Sequence, residues 1–235
     1  PTSRNIFDMV HDLAPRPVAD HAATHAADHP EMMRLGGLIA ARICHDLVGP
    51  VGAIANGIDL MAEVAASGEA EEVELVRQST ARAAALLRTL RVAFGDATPS
   101  GPEVARSKVI GELTEVIAGR RVSLNVTGAE GGPLDPTVAR LASLMVLSGR
   151  LLLGLGGQID LVFSQESALP IRVTAEGSGA DLPPRAEAWL AGSLRELPAS
   201  REVELALLPR AAAAAGARLT WTAEDARVTL CAAPL

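Results

Sequence analysis

The chain has 235 residues, which at ~150 residues per domain is between one and two domains and enough to bury a core without disulfides. Its 21 basic and 28 acidic residues leave a net charge of −7, and with 2% aromatics and no Tyr it is poorly equipped to bind nucleic acid. Hydrophobic residues at 49% against 21% charged describe a globular chain rather than a disordered one, and the abundance of Ala favours helix.

Residues 1–30 mix Pro15, Pro17 and Pro30 with Asp and His and carry no apolar stripe, so a flexible leader is expected there. Over 32–66 the pattern changes. Ile39, Ile43, Leu47, Val51, Ile54, Ile58 and Met61 recur at steps of three and four, one stripe along a helix that Ser67-Gly68 ends. Over 69–94 the series Val73, Val76, Thr80, Ala83, Leu87, Leu90, Phe94 makes a heptad-like seam. Two long helices joined by a short turn form an antiparallel hairpin, and the economical way to cover both stripes is a homodimer with a four-helix bundle. The hairpin domain is expected to span 31–96, and the Gly, Pro, Ser and Asp of 95–102 read as a linker.

Beyond it, helices are expected near 103–118, 135–153 and 201–215, with strands at 122–126, 159–163 and 171–174 and a closing hairpin of 219–222 and 227–231. The fold class is therefore α plus α+β: a helical hairpin followed, over 103–235, by a small α/β sandwich with its helices on one face of the sheet.

One residue invites chemistry. At ~100° per residue, His45 lies about 175° from the centre of the apolar stripe, so its imidazole projects to solvent. Gly49, Gly52 and Asn56 fall within about 40° of it and form a track of small side chains that another protein could approach closely. The track is costly: each helical Gly loses ~1 kcal/mol against Ala, and Pro50 removes a backbone bond for ~3 kcal/mol and should kink the helix. Local rules broken together on one face suggest function, although helix packing beside an ordinary surface histidine would account for the same residues.

The run His45-Asp46-Leu47-Val48-Gly49-Pro50-Val51 resembles the H-box of sensor histidine kinases. Read on through Gly52-Ala53-Ile54-Ala55-Asn56-Gly57, it resembles the ChpT-type histidine phosphotransferases of alphaproteobacterial cell-cycle phosphorelays. The resemblance implies that His45 carries a phosphoryl group and that Asp46 corresponds to the adjacent acid, able to orient the ring only at a slant. The position four after the histidine, Thr or Asn in kinases that also hydrolyse phosphate, is Gly49 here, which argues against hydrolysis and leaves room for a receiver domain. Arg42, one turn before His45 and about 60° from it, is placed to meet the acidic surface of such a receiver.

The layout after 103 resembles the ATP-binding domain of histidine kinases, whose nucleotide motifs this sequence keeps only in part. Gly156-Gly157-Gln158-Ile159 fits a strand entry, but the preceding helix has no Asn to ligate Mg²⁺. Gly177 and Gly179 keep the glycines of the adenine motif, but its Asp position reads Ala175, and Glu176 is one position out. Leu197-Pro198-Ala199-Ser200-Arg201-Glu202 has no glycine for a phosphate loop and adds acidic charge. A degenerate domain without ATP binding is expected; an unrelated α+β sandwich is the alternative.

Cys44 and Cys231 lie far apart in no ligand or redox spacing, as in a reduced cytoplasmic chain. The most apolar window, 141–155, is interrupted by Arg150 and shorter than the ~20 residues of a membrane span, and no secretory signal is visible, so no membrane partner is expected. His21, His25 and His29 are spaced for one helix face, but flanking prolines favour a polar tail over a metal site. His11-Asp12 imitates the H-box start, but Pro15 and Pro17 break the helix that would display it.

The resemblance thus implies a homodimer relaying a phosphoryl group from the receiver of a CckA-like hybrid histidine kinase to CtrA-like and CpdR-like response regulators. It would need no cofactor of its own, the Mg²⁺ being supplied by the partner receiver. The alternatives are an active dimeric histidine kinase and a non-catalytic dimeric receiver-binding adaptor.

Overall fold

A computed structural model describes residues 19–63, 69–98, 101–117, 121–164 and 169–235, with 19–32, 59, 61–63 and 69–72 described as backbone only. Residues 1–18, the Ser67-Gly68 stop, and the side chains of Met61, His21, His25 and His29 lie outside that description. The element order is α1 (Ala19–Glu63), α2 (Glu69–Phe94), α3 (Arg106–Ile117), β1 (Val122–Thr127), α4 (Pro136–Leu152), β2 (Gly157–Phe163), β3 (Ile171–Glu176), α5 (Ala186–Leu190), α6 (Val203–Ala214), β4 (Ala217–Glu224) and β5 (Arg227–Pro234). Helix and sheet follow one another as the α plus α+β reading requires. The short α5 was not anticipated, since five residues offer too little periodicity to register.

Helix α1 begins at Ala19, so the second half of the expected leader is helical. The Ala-rich run there has high intrinsic helix propensity, and the helix continues through both Pro30 and Pro50. Within α1, the stretch Met33–Ile58 is long and apolar enough to cross a membrane by length and composition alone. The expectation of no span was weighed on 141–155; Met33–Ile58 is longer but diluted by small residues, and its length and composition are weak evidence for a span.

The chain divides into two compact units, one ending at Gly37 and one running from Leu38 to Leu235. No division falls at the expected linker 95–102, because α2 has a second apolar face. Ala85, Leu86 and Ala93, all outside the expected seam, are buried together with Leu90 at its edge as α2 packs on α3 and α4. Arg88 Nε meets Glu112 Oε1 of α3 at 2.9 Å, and Arg140 Nε of α4 donates to the Ala93 carbonyl at 3.2 Å. The hairpin seam alone did not predict this second contact.

The five-stranded sheet has the order β1-β2-β3-β5-β4, with β1 and β2 parallel and all other neighbours antiparallel. Period-two alternation turns Ile159, Leu161 and Phe163 of β2, Ile171, Val173 and Ala175 of β3, and Val228, Leu230 and Ala232 of β5 into the core. Helix α4 is the centre of that core. Asp135 caps it by accepting from Thr137 N at 2.8 Å, and Pro136 follows in the first turn, where its missing N–H costs nothing. Leu141, Leu144, Met145 and Leu147 of α4 are enclosed, each contributing about 2 kcal/mol by burial. Gly149 lets the helix settle on β3: a Cβ there would lie 3.2 Å from Val173 Cγ1.

Candidate functional site

Helical geometry alone aims His45 outward, and its side chain is 80% exposed. Its neighbour Asp46 turns the other way and is almost covered, at 6% exposure. Although adjacent residues on a helix do not face each other, Asp46 Oδ1 reaches back to within 3.2 Å of His45 Nδ1. A carboxylate there accepts a proton held on Nδ1, which leaves the lone pair on Nε2, the nitrogen farther from the helix.

Arg42, one turn earlier, is where the structure departs from expectation. Its guanidinium is not offered to a partner: the residue is buried, donating from Nη1 to Asp46 Oδ1 at 2.5 Å and from Nε to Glu204 Oε1 of α6 at 2.7 Å. Helix α6 occupies the space beside that turn. Arg42 is therefore corrected from a docking residue to a buried link between α1 and α6.

Glu204 was missed altogether. It lies 162 residues from Arg42, and nothing in its local sequence, a helix start in an apolar run, marks it. Burial pushes its carboxyl above the ordinary value; the Arg42 charge and hydrogen bond oppose that, and the charge of Asp46 adds to it. Asp46 Oδ2 and Glu204 Oε2 have no hydrogen-bond partner among the described residues. Two carboxylates thus share one guanidinium, each with one oxygen spent on it.

Gly49 and Asn56 are exposed and Gly52 half-buried, and a Cβ added at either glycine would meet nothing within 4 Å. No neighbour in this chain requires these glycines. Exposed Val48, one turn from His45, adds an apolar side chain that sequence reasoning had left out of the track. Below the site, Asp46, Pro50, Arg82, Leu86, Val116 and Arg150 enclose a cleft of about 20 Å³. A broader one of about 570 Å³ opens beside Arg42, bordered by Arg150, Gly154, Gly179, Asp181 and Glu202.

The glycines of the nucleotide-like motifs have a structural use. Gly156 and Gly157 have φ of +130° and +146°, and a Cβ on Gly157 would lie 2.2 Å from the Glu176 carbonyl oxygen. Gly177 meets the same pinch from the other side: a Cβ added there would run into the Gly156 carbonyl oxygen. Ala175 faces the core, while Glu176 is held on the surface by Arg227 at 2.7 Å.

Comparison with known proteins agrees with this architecture. Residues 107–227 match the family described as Histidine phosphotransferase C-terminal domain. The chain is 30% identical over 152 residues to Protein phosphotransferase ChpT of Brucella abortus (strain 2308), covering 64% of this chain and 71% of that protein. A solved bacterial phosphotransferase superposes with a TM-score of 0.67 at 23% identity, over 85% of this chain and 96% of the other, and shares the fold. Acinetobacter baumannii histidine kinase AdeS aligns at a TM-score of 0.41 and 8% identity, over 80% of this chain and 97% of the other. By family match and by relative, the chain belongs to the ChpT-type histidine phosphotransferases, phosphotransfer proteins of two-component-like signalling.

Proposed function

We propose that His45 is the phosphoacceptor through which this protein relays phosphate between receiver domains. The observation that carries the reading is the pairing of an exposed imidazole with a covered acid: His45 at 80% and Asp46 at 6% exposure, 3.2 Å apart at Nδ1 and Oδ1. With Nδ1 tied to Asp46, Nε2 attacks the phosphorus of an aspartyl phosphate on the incoming receiver. The N–P bond forms as the P–O bond to the carboxylate breaks, and the carboxylate leaves with the electron pair. The ring becomes cationic on phosphorylation, and the negative charge of Asp46 stabilises it. The reverse sequence delivers the group to a second receiver.

The open track of Gly49, Gly52 and Asn56 supports close approach of that receiver, which would bring its own Mg²⁺ in line with Nε2. The upstream donor is the receiver of a CckA-like hybrid histidine kinase, and the acceptors are CtrA-like and CpdR-like regulators. The acting species is a homodimer, with exposed Val51, Ile58 and Leu87 on the faces that a second copy would cover. The second domain does not bind ATP in this reading. Its kinase-like glycines serve strand packing, the Asn expected on α4 is missing, and Ala175 stands where an adenine-binding Asp would.

The test is incubation of the pure protein with radiolabelled ATP, alone and then with a phosphorylated hybrid kinase. Acid-labile, alkali-stable label appearing only with the kinase, and lost in His45→Ala, is the expected result. Label from ATP alone would make the protein a kinase; label retained in His45→Ala would remove the site assignment. Binding of the receiver with no label at all would favour an adaptor.

A further inference from the structure

Helix α6 places Glu204 with no exposed side-chain surface, in a position that an apolar residue would fill at lower desolvation cost. Its Oε2 is unpartnered among the described residues, and its contact of consequence is to Arg42. Arg42 is anchored at two edges of its plane, Nε on Glu204 at 2.7 Å and Nη1 on Asp46 at 2.5 Å. Asp46 Oδ1 then meets His45 Nδ1 at 3.2 Å. Four side chains run from the core of the α/β layer to an imidazole that is otherwise open to solvent.

We propose that Glu204 is a positioning residue for His45: by holding the Nε edge of Arg42 it fixes Nη1 on Asp46, and Asp46 then holds the ring with its Nδ1 proton inward and Nε2 outward. The inference rests on His45 being the phosphoacceptor, as proposed above. A guanidinium held at two edges has its plane fixed, and it fixes in turn the carboxylate it meets. Held at one edge only, it swivels about that contact. Asp46 then samples other rotamers, and the exposed ring loses the bond that sets both its tautomer and its aim. In-line attack is sensitive to such misplacement, so an effect on rate is expected from a residue that never meets the donor.

The competing role is a plain strut that keeps α6 against α1, and the two are separable. The probe is phosphoramidate, which phosphorylates an imidazole directly: Nε2 forms the N–P bond as the P–N bond of the protonated phosphoramidate breaks, ammonia leaves with that bonding pair, and the ring keeps its Nδ1 proton. Phosphohistidine formation in the full chain is followed by phosphorus NMR. The tautomer is read by nitrogen NMR on histidine-labelled protein, with the His45 signals identified by their loss in His45→Ala.

Glu204→Ala is expected to slow phosphorylation about tenfold and to shift the His45 nitrogens away from the Nδ1-protonated pattern. Glu204→Gln keeps an oxygen for Arg42 Nε and should retain more of both. Because the effect runs through Asp46, Asp46→Asn/Glu204→Ala should be no slower than Asp46→Asn alone. If Glu204→Ala fails to fold, Glu204→Leu, which fills the buried space without an acceptor for Arg42 Nε, and its double variant with Asp46→Asn make the same comparison. Wild-type rate and tautomer in the folded Glu204→Ala or Glu204→Leu variant, or losses that add in the double variant, would overturn the positioning role while leaving His45 in place. Failure of the wild type to form phosphohistidine at position 45 would overturn the phosphoacceptor reading, and this inference with it.

Discussion

Glycines of identical composition do opposite things in this chain, and the backbone decides which. Gly49 lies in regular helix with open space where a Cβ would be, so Gly49→Ala should raise the unfolding free energy by about 1 kcal/mol through helix propensity. Gly157 has φ +146° and would drive a Cβ into the Glu176 carbonyl, so Gly157→Ala should cost more than about 1 kcal/mol. Urea denaturation of the two variants checks both signs. A helical glycine that lowers stability and touches nothing in its own chain fits a surface shaped for an incoming partner. A glycine pinched between strands reports only the fold.

At the scale of elements, the contact of α1 with α6 carries a charge cost that pH should reveal. Burial raises the Glu204 carboxyl above its ordinary 4.5, Arg42 opposing and Asp46 reinforcing the shift. The folded state therefore holds that proton more tightly than the unfolded chain. Its contribution to stability is greatest on the acid side, falls as pH rises from about 4.5 through the raised value, and is flat above it. The slope for one such group is at most about 1.4 kcal/mol per pH unit. On the exposed face of α2, Glu74 works in the opposite sense and in a lower window. Hydrogen bonds from Arg77 and Gln78 hold its carboxyl down at about 2, so its contribution is lost as pH falls from 4.5 towards 2. Urea unfolding from about pH 5 upward should show a falling stability in the wild type that Glu204→Gln flattens. An unchanged slope in the variant would assign the dependence to another group.

For the whole molecule, the proposed dimer follows from what a single copy leaves uncovered. Val51 and Ile58 of α1 and Val73 and Leu87 of α2 are exposed, while the opposite face of α2 is already buried against α3 and α4. Apolar side chains in that number on one pair of helices are unusual for a surface that stays bare. Leu87→Glu should leave the fold intact, since Leu87 is half exposed, and should convert a sedimenting dimer to a monomer. Sedimentation velocity at matched concentrations decides it; a variant that stays dimeric would place the interface elsewhere.

Local periodicity was enough to read the element order of the α/β layer, the short α5 apart, and the outward aim of His45, because a turn of 3.6 residues or an alternation of two is written into adjacent positions. The resemblance of His45-Asp46 and its following glycines to an H-box was equally local. What the sequence withheld were pairings across distance. The link from Arg42 to Glu204 joins residues 162 apart, and it turned an expected docking arginine into a buried one. The second apolar face of α2 was hidden because a heptad seam accounts for one stripe and says nothing of a neighbour on the other side. The glycines of 156, 157 and 177 read as remnants of a ligand site until the strands that pinch them were in view. In each case the residue type was compatible with two roles, and only the tertiary arrangement, by filling or leaving empty the space beside it, chose between them.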